Sequence, residues 1–264
     1  MLFKMQIQKF ICQQCGECCS HIRGRIDDSL KEFMNEYAYG KMPLVQLIPV
    51  EKMSFPLWDW EAKRFMQWQK EVDIGTKISP SRVIYDLNTH KAIIVTYYID
   101  SDDCPFLRDK KCLIYNKKRA YICRLFPFNK GPFLKTDEAT KENMFGSCPA
   151  IKDIKGNMPE DKKEMVRYLS EAFPDGSFLN VVQHDIVTEW INKITVDLTR
   201  NKIIRPAVRY PYDKLLKRIG NSEKTDLTEF LVEKEIYTRE EMDKLIKGFD
   251  DNTDAKEKIK ECLG

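Results

Sequence analysis

Four cysteines stand within eight residues of this chain, as Cys12-Gln-Gln-Cys15-Gly-Glu-Cys18-Cys19. Four more follow after a long gap, at Cys104, Cys112, Cys123 and Cys148. Thiolates at two-residue intervals suit Zn²⁺, Cu(I) or an iron–sulfur cluster, because soft ligands prefer soft or borderline metals. The Cys12-x2-Cys15-x2-Cys18 step is the spacing of a ferredoxin-type cluster loop. Zinc more often draws two cysteine pairs from separate knuckles. Adjacent Cys18 and Cys19 are expected to point apart, so that one of them reaches a second metal or stays a free thiol. Packing alone is a poor account of so dense a run. Eight thiols allow two four-thiolate sites, one such site with spare thiols, or a site with an open position. The two groups could also interleave around shared metals.

The rest of the chain narrows the setting. Disulfides are disfavoured in a reducing cytosol, where clustered thiols bind metal or do redox work; intracellular proteins of hyperthermophiles are the exception. The N-terminal run to Phe10 has no apolar stretch with a small-residue cleavage site. The longest apolar runs, such as Ala92 to Val95, are far too short to cross a bilayer. A cytoplasmic location without membrane contact is the expectation. A net charge of +3, from 44 basic and 41 acidic residues, is too balanced to argue for nucleic acid. With 264 residues, one large or two small domains are expected.

Gly16 supplies the φ freedom of a tight metal loop, and Phe10-Ile11 reads as a short strand leading into it. Asp27 to Tyr39 and Pro56 to Val72 read as helices, the second packing Trp58, Phe65 and Trp68 on a core. Arg82 to Leu87 and Lys91 to Asp100 read as strands joined at Asn88-Thr89-His90. Asn116 to Ile122 is a candidate helical turn. Pro159 to Phe173, Phe178 to Leu198, Asp226 to Lys234 and Arg239 to Lys247 look helical, with a soft boundary near Met158. The expected division is a cysteine-cluster metal domain over 1–157 and a helical region over 158–264.

Other features carry less. Arg108, Lys110, Lys111, Lys117, Lys118, Arg119 and Arg124 would offset thiolate charge if they face it. His21 is a weak candidate ligand beside eight thiolates, His90 reads as a turn residue and His184 as structural. Cys262 is the odd thiol, packed or idle. Asp100, Asp102 and Asp103 suit a turn before Cys104-Pro105 better than an acid cluster. Thr199 to Arg218 carries seven basic residues against Asp213 and reads as a solvated, partner-facing surface. No Ser/His/Asp or HExxH pattern appears, so hydrolase chemistry has little support.

The ordered set Cys12-x2-Cys15-Gly16-x-Cys18-Cys19, Cys104-Pro105-Phe106, Cys112-x-Ile114-Tyr115, Cys123-Arg124-x-Phe126-Pro127-Phe128 and Cys148-Pro149 resembles the CxxCxxCC cysteine-cluster (YkgJ-like) family, described as zinc- or iron-chelating. Arg119-Ala120 stands where the family usually has Arg-Pro. The resemblance implies that the eight cysteines are metal ligands. A relative, the flagellin lysine N-methylase, extends it by analogy to a metal-dependent protein-modifying enzyme, although no Gly-rich nucleotide loop is present. The expectation is an α+β fold: a small cysteine-rich metal core with a β-hairpin, covered by helices, with a helical C-terminal region. Segments 10 to 21 and 100 to 150 must then meet. The cofactor expected is an iron–sulfur cluster, with Zn²⁺ as the alternative in a structural, partner-binding role. The partner expected is a protein, either bound or modified.

Overall fold

A run of β-branched and aromatic residues, Ala92-Ile-Ile-Val-Thr-Tyr-Tyr-Ile99, forms the strand around which the chain is arranged. The computed structural model describes residues 7–24, 28–115, 119–134 and 144–264. The central strand is β4 (Ala92–Ile99), paired antiparallel with β3 (Ile78–Tyr85) as a hairpin. The hairpin read from the sequence is therefore present. Its turn is held by Asp86, whose carboxylate accepts from the amides of Asn88 and Thr89, and His90 takes φ 56° there. The register shifts between Pro80 and Val83, where proline offers no N–H to the ladder.

On its outer side β3 pairs with β1 (Leu44–Gln46). The other edge of β4 is shared end to end by two short strands. β2 (Pro56–Trp58) pairs antiparallel with Thr96–Tyr98, and β7 (Lys224–Asp226) pairs parallel with Ala92–Ile94. Ile84, Ile93 and Val95 face one core, while Val83, Tyr85, Ala92 and Ile94 face another. Both faces being covered explains why β4 is apolar along its length rather than alternating.

Helices cover both faces. α1 (Asp28–Phe33) runs into a π-helical turn at Met34–Ala38. α2 (Asp59–Glu71) follows β2 directly, so the helix read over Pro56 to Val72 begins three residues later, behind a strand. α3 (Tyr121–Leu125) and α4 (Lys152–Gly156) are single turns or little more. α5 (Lys162–Ala172) and the long α6 (Ser177–Arg200) match the expected helices, as do α8 (Leu227–Glu233) and α9 (Arg239–Asp250). α7 (Tyr212–Asn221) and α10 (Thr253–Leu263) were not expected. α7 lies within the basic stretch, burying Leu215 and Ile219 while Lys214, Lys217 and Arg218 are exposed. Asp27 and Asn116 to Lys118 lie outside the described residues.

The chain is thus α+β, with a hairpin-based sheet and a helical C-terminal region. Segments on either side of Met158 share cores. Phe10, Tyr121 and Phe128 pack with Leu169, Phe178 and Val182. Trp60 and Ile93 pack with Phe230 and Phe249.

Candidate metal centre

The cysteine loop is positioned by what it leans on. Residues 7 to 15 form no regular element, so the strand expected at Phe10-Ile11 is absent. Phe10 instead donates its amide to Ala172 O at 2.7 Å and sets its ring 5.2 Å from Phe173. That contact buries Phe10 without a strand partner. Gly16 sits at φ 80°, and its carbonyl accepts from Cys19 and Ser20 to close the 3-10 turn Glu17–Cys19. A Cβ on Gly16 would lie 2.8 Å from Lys110 O. Glycine is needed there for its conformation and for the close approach.

Lys110 belongs to the tight turn between β5 (Leu107–Arg108) and β6 (Lys111–Cys112). Asp109 and Lys110 both take positive φ, 47° and 62°. This hairpin presents Cys112. Cys104 lies just before it, with Leu107 N bonding to Cys104 O at 2.9 Å.

The loop after Cys19 is tied to the turn before Cys104. Cys104 N donates to Cys19 O at 2.8 Å, and Ile22 N to Asp102 O at 2.6 Å. His21 N donates to Asp103 Oδ1 at 2.6 Å, and Arg23 reaches Asp100 at 2.5 Å and Asp102 at 3.1 Å. The acidic turn therefore serves as a dock. His21 contributes its backbone to that dock and does not line the cavity described below.

Cys123 rides on α3. Glu61 of α2, itself buried, accepts from Tyr121 N at the first turn of α3 and from Trp58 N. Burial pushes the Glu61 carboxyl up to about 7 against these hydrogen bonds. Arg119 donates to Cys123 O. Cys148 precedes the turn Pro149–Ile151. It is brought in by the bridge between Phe128 and Phe145, with Asn129 N bonding to Met144 O and Gly146 N to Pro127 O.

These devices bring all eight expected cysteines to the wall of one cavity of about 590 Å³. Phe10, Phe65, Phe106, Phe128 and Phe145 line it as well, and so do Lys110 and Arg119. Arg108, Lys111 and Arg124 do not; Arg124 lies over the Tyr121 ring and reaches Asp250. Lys117 and Lys118 lie outside the described residues. Cys104 is buried, Cys15 exposed and the other six half-buried. Cys262 is outside the cavity, packed against the core of Phe173 and Ala255. His184 is wedged between Trp58 and Tyr121, where burial pushes it down to about 4, as a structural residue would be.

The Cys18 and Cys19 sulfurs lie 3.8 Å apart. This corrects the expectation that neighbouring cysteines point away from each other. The short 3-10 turn keeps their sulfurs in contact. A hydrogen bond to the Cys104 thiol, then burial, pushes Cys19 up to about 12 against an opposing bond from Cys18. Its hydrogen bond to Cys19, then burial, raises Cys18 strongly. Burial raises Cys112, Cys123 and Cys148, while the Arg119 guanidinium pulls Cys18, Cys112 and Cys123 the other way. At neutral pH these five thiols are therefore protonated, and a metal would have to displace their protons.

No group of three or more His, Cys, Asp or Glu side chains among the described residues is already gathered closely enough to hold an ion. The fit to a metal lies in the donor chemistry: soft sulfur donors converge on a half-enclosed, largely apolar cavity whose wall carries two cations, Lys110 and Arg119, and two acids, Glu17 and Asp175. Glu61 and the aromatic wall were not singled out from the sequence. Only the wall had a signal, in Phe106, Tyr115, Phe126 and Phe128 of the quoted motifs, all of which line the cavity.

The chain is an α+β protein with eight cysteines on the wall of one cavity. The chain belongs to the CxxCxxCC family, described as "Putative zinc- or iron-chelating domain", which matches residues 11–149. No curated protein and no solved structure matches it. No helix among the described residues is long and apolar enough to cross a membrane.

Proposed function

We propose that this chain holds iron as an iron–sulfur centre in the cysteine cavity, and that the centre joins the Cys12–Cys19 loop to the Cys104–Cys148 segment. One observation carries the reading: eight thiols from five separate pieces of chain converge on one cavity of about 590 Å³. A single dication needs less room than one water, which takes about 30 Å³ of liquid volume. The remaining space accommodates inorganic sulfide together with several metal atoms. The aromatic residues of the wall limit water access, and Arg119, which acts on Cys18, Cys112 and Cys123, offsets part of the charge of a thiolate cluster.

The test is anaerobic purification with metal and acid-labile sulfide measured together, alongside a visible spectrum. Iron with matching sulfide and absorbance near roughly 400 nm supports the proposal. Zinc without sulfide overturns the iron assignment and makes the cavity a closed thiolate staple for partner binding.

A further inference from the structure

The eight thiols share a cavity but not a packing environment. Cys19, Cys104, Cys112 and Cys123 all pack into the core built by Ile22, Phe65 and Phe106. Cys12 and Cys148 pack into a different core, that of Phe10, Phe128 and Phe145. Cys15 and Cys18 belong to neither, and Cys15 is exposed.

We propose that the cavity holds two adjoining thiolate centres, an inner one built by Cys19, Cys104, Cys112 and Cys123 and an outer one built by Cys12, Cys15, Cys18 and Cys148. This rests on the metal-binding reading above, whichever metal fills it. Backbone bonds tie the inner set together. Cys104 N holds Cys19 O at 2.8 Å, and Leu113 N holds Phe106 O at 2.9 Å, laying the Cys112 strand beside Cys104. In the outer set, Cys15, Cys12 and Cys18 act electrostatically on Cys148, and Cys18, which also acts on Cys112 and Cys123, borders both sets. The two sets meet where the Cys18 and Cys19 sulfurs lie 3.8 Å apart.

The chemistry favours the same division. One metal, or one corner-ligated cluster, takes about four thiolates. With their sulfurs in contact, Cys18 and Cys19 form the edge where the two centres adjoin. The inner centre contains buried Cys104 and the outer contains exposed Cys15. The outer centre should lose its metal first.

The experiment uses the full-length protein as purified with its metal, held without air. EDTA is added for zinc, or 2,2′-bipyridyl for iron. Aliquots are alkylated with iodoacetamide over time, and each cysteine is scored by peptide mass spectrometry. The expected result is two phases, each releasing about half of the metal. Cys12, Cys15, Cys18 and Cys148 become labelled in the first, and Cys19, Cys104, Cys112 and Cys123 in the second. Eight thiols labelling together, or Cys18 labelling with Cys19, overturns the division while leaving metal binding intact. A chain that carries no metal and takes up neither Zn²⁺ nor Fe²⁺ with sulfide overturns the reading beneath it as well.

Variants give an independent check. Cys15→Ser and Cys112→Ser should each keep about half of the wild-type metal, and the pair together none. Cys15→Ser with Cys148→Ser should lose no more than either alone. If Cys112→Ser is insoluble, the wild-type time course decides the matter.

Discussion

The sheet and the cysteine cavity both join segments distant in sequence, but they are held by different means. In the sheet, β4 is buried over seven of its eight residues and hydrogen-bonded along both edges. In the cavity, the loop from Phe10 to Arg23 has no regular element longer than a three-residue turn. A few backbone bonds and one ion-pair cluster dock it on the turn before Cys104. Burial and ladder bonds stabilise the sheet whatever the solvent holds. On the proposed reading the cavity depends on a metal, which must displace the protons of its raised thiols.

The largest expected effect is therefore local. Removing the metal should lower stability by several kcal/mol, within the range of structural thiolate sites. Hydrogen exchange should rise sharply over residues 10–24 and 104–125 while β3, β4 and α6 keep their protection. Exchange rising evenly across the chain would erase the contrast between the regions. The same dependence gives a pH signature. Cys19 is raised to about 12, and Cys18, Cys112, Cys123 and Cys148 are raised as well. Each must shed a proton to become a ligand, so metal affinity climbs with pH through neutrality and metal is lost as pH falls. For the metal-free fold the sign reverses. A raised thiol pKa contributes stability below the unfolded value near 8.5, and that contribution is lost as pH rises through the folded values. Competition titrations at pH 6 and 8 check the first sign, and thermal melts of the chelated protein at pH 8 and 10 check the second.

Ile93→Ala strikes the other region. Ile93 is fully buried between the sheet and its covering helices. The substitution should cost about 2–5 kcal/mol, as cavity-forming changes in cores do. Metal content per folded chain should stay at the wild-type level, measured on the soluble fraction. A parallel loss of metal would mean that the two regions fold as one unit.

How much of this was legible depends on where the information lies. The cysteine cluster was legible because soft donors at so short a step favour a metal over packing. The hairpin was legible because Ala92 to Ile99 carries its own β preference. β2 was not, since a three-residue strand at Pro56–Trp58 exists only by pairing with β4. α7 was missed although Tyr212, Leu215, Leu216 and Ile219 recur at helical spacing, because the basic residues between them read as a solvated surface. Glu61 was invisible as a positioning residue. Its partner amide is that of Tyr121, sixty residues away, and nothing local marks the pair. The contact of Cys18 with Cys19 depends on the backbone of one turn, which spacing alone does not specify.

Gly16→Ala sharpens the comparison at the hinge of the cavity. The new Cβ would meet Lys110 O at 2.8 Å, and the residue would have to hold φ 80°. Strain of this kind costs on the order of 1–3 kcal/mol. In the metal-loaded protein it should appear as weaker metal retention against a chelator. In the chelated protein, where the loop is free to move off the β5–β6 turn, the cost should largely vanish. An equal cost in both states would mean that the loop is seated on Lys110 without metal.

Arg23→Ala is the mildest change and the most discriminating. Arg23 pairs with Asp100 at 2.5 Å and Asp102 at 3.1 Å, with about a quarter of its own side chain exposed. Pairs this wet contribute about 0.2–1 kcal/mol. For a chain of this length that is a shift of only a few degrees in Tm, about 2–4 °C per kcal/mol. With metal bound, the thiolates already fix Cys19 beside Cys104, so losing the pair should barely register. Without metal, the pair is one of the few remaining ties, and exchange at the amides of His21 and Ile22 should speed up several-fold. The loss should also shrink in high salt, because an exposed pair is screened within about 10 Å at 0.1 M. A loss well above 1 kcal/mol in the loaded protein would reverse the account, making the acidic turn, and not the metal, the element that closes the cavity.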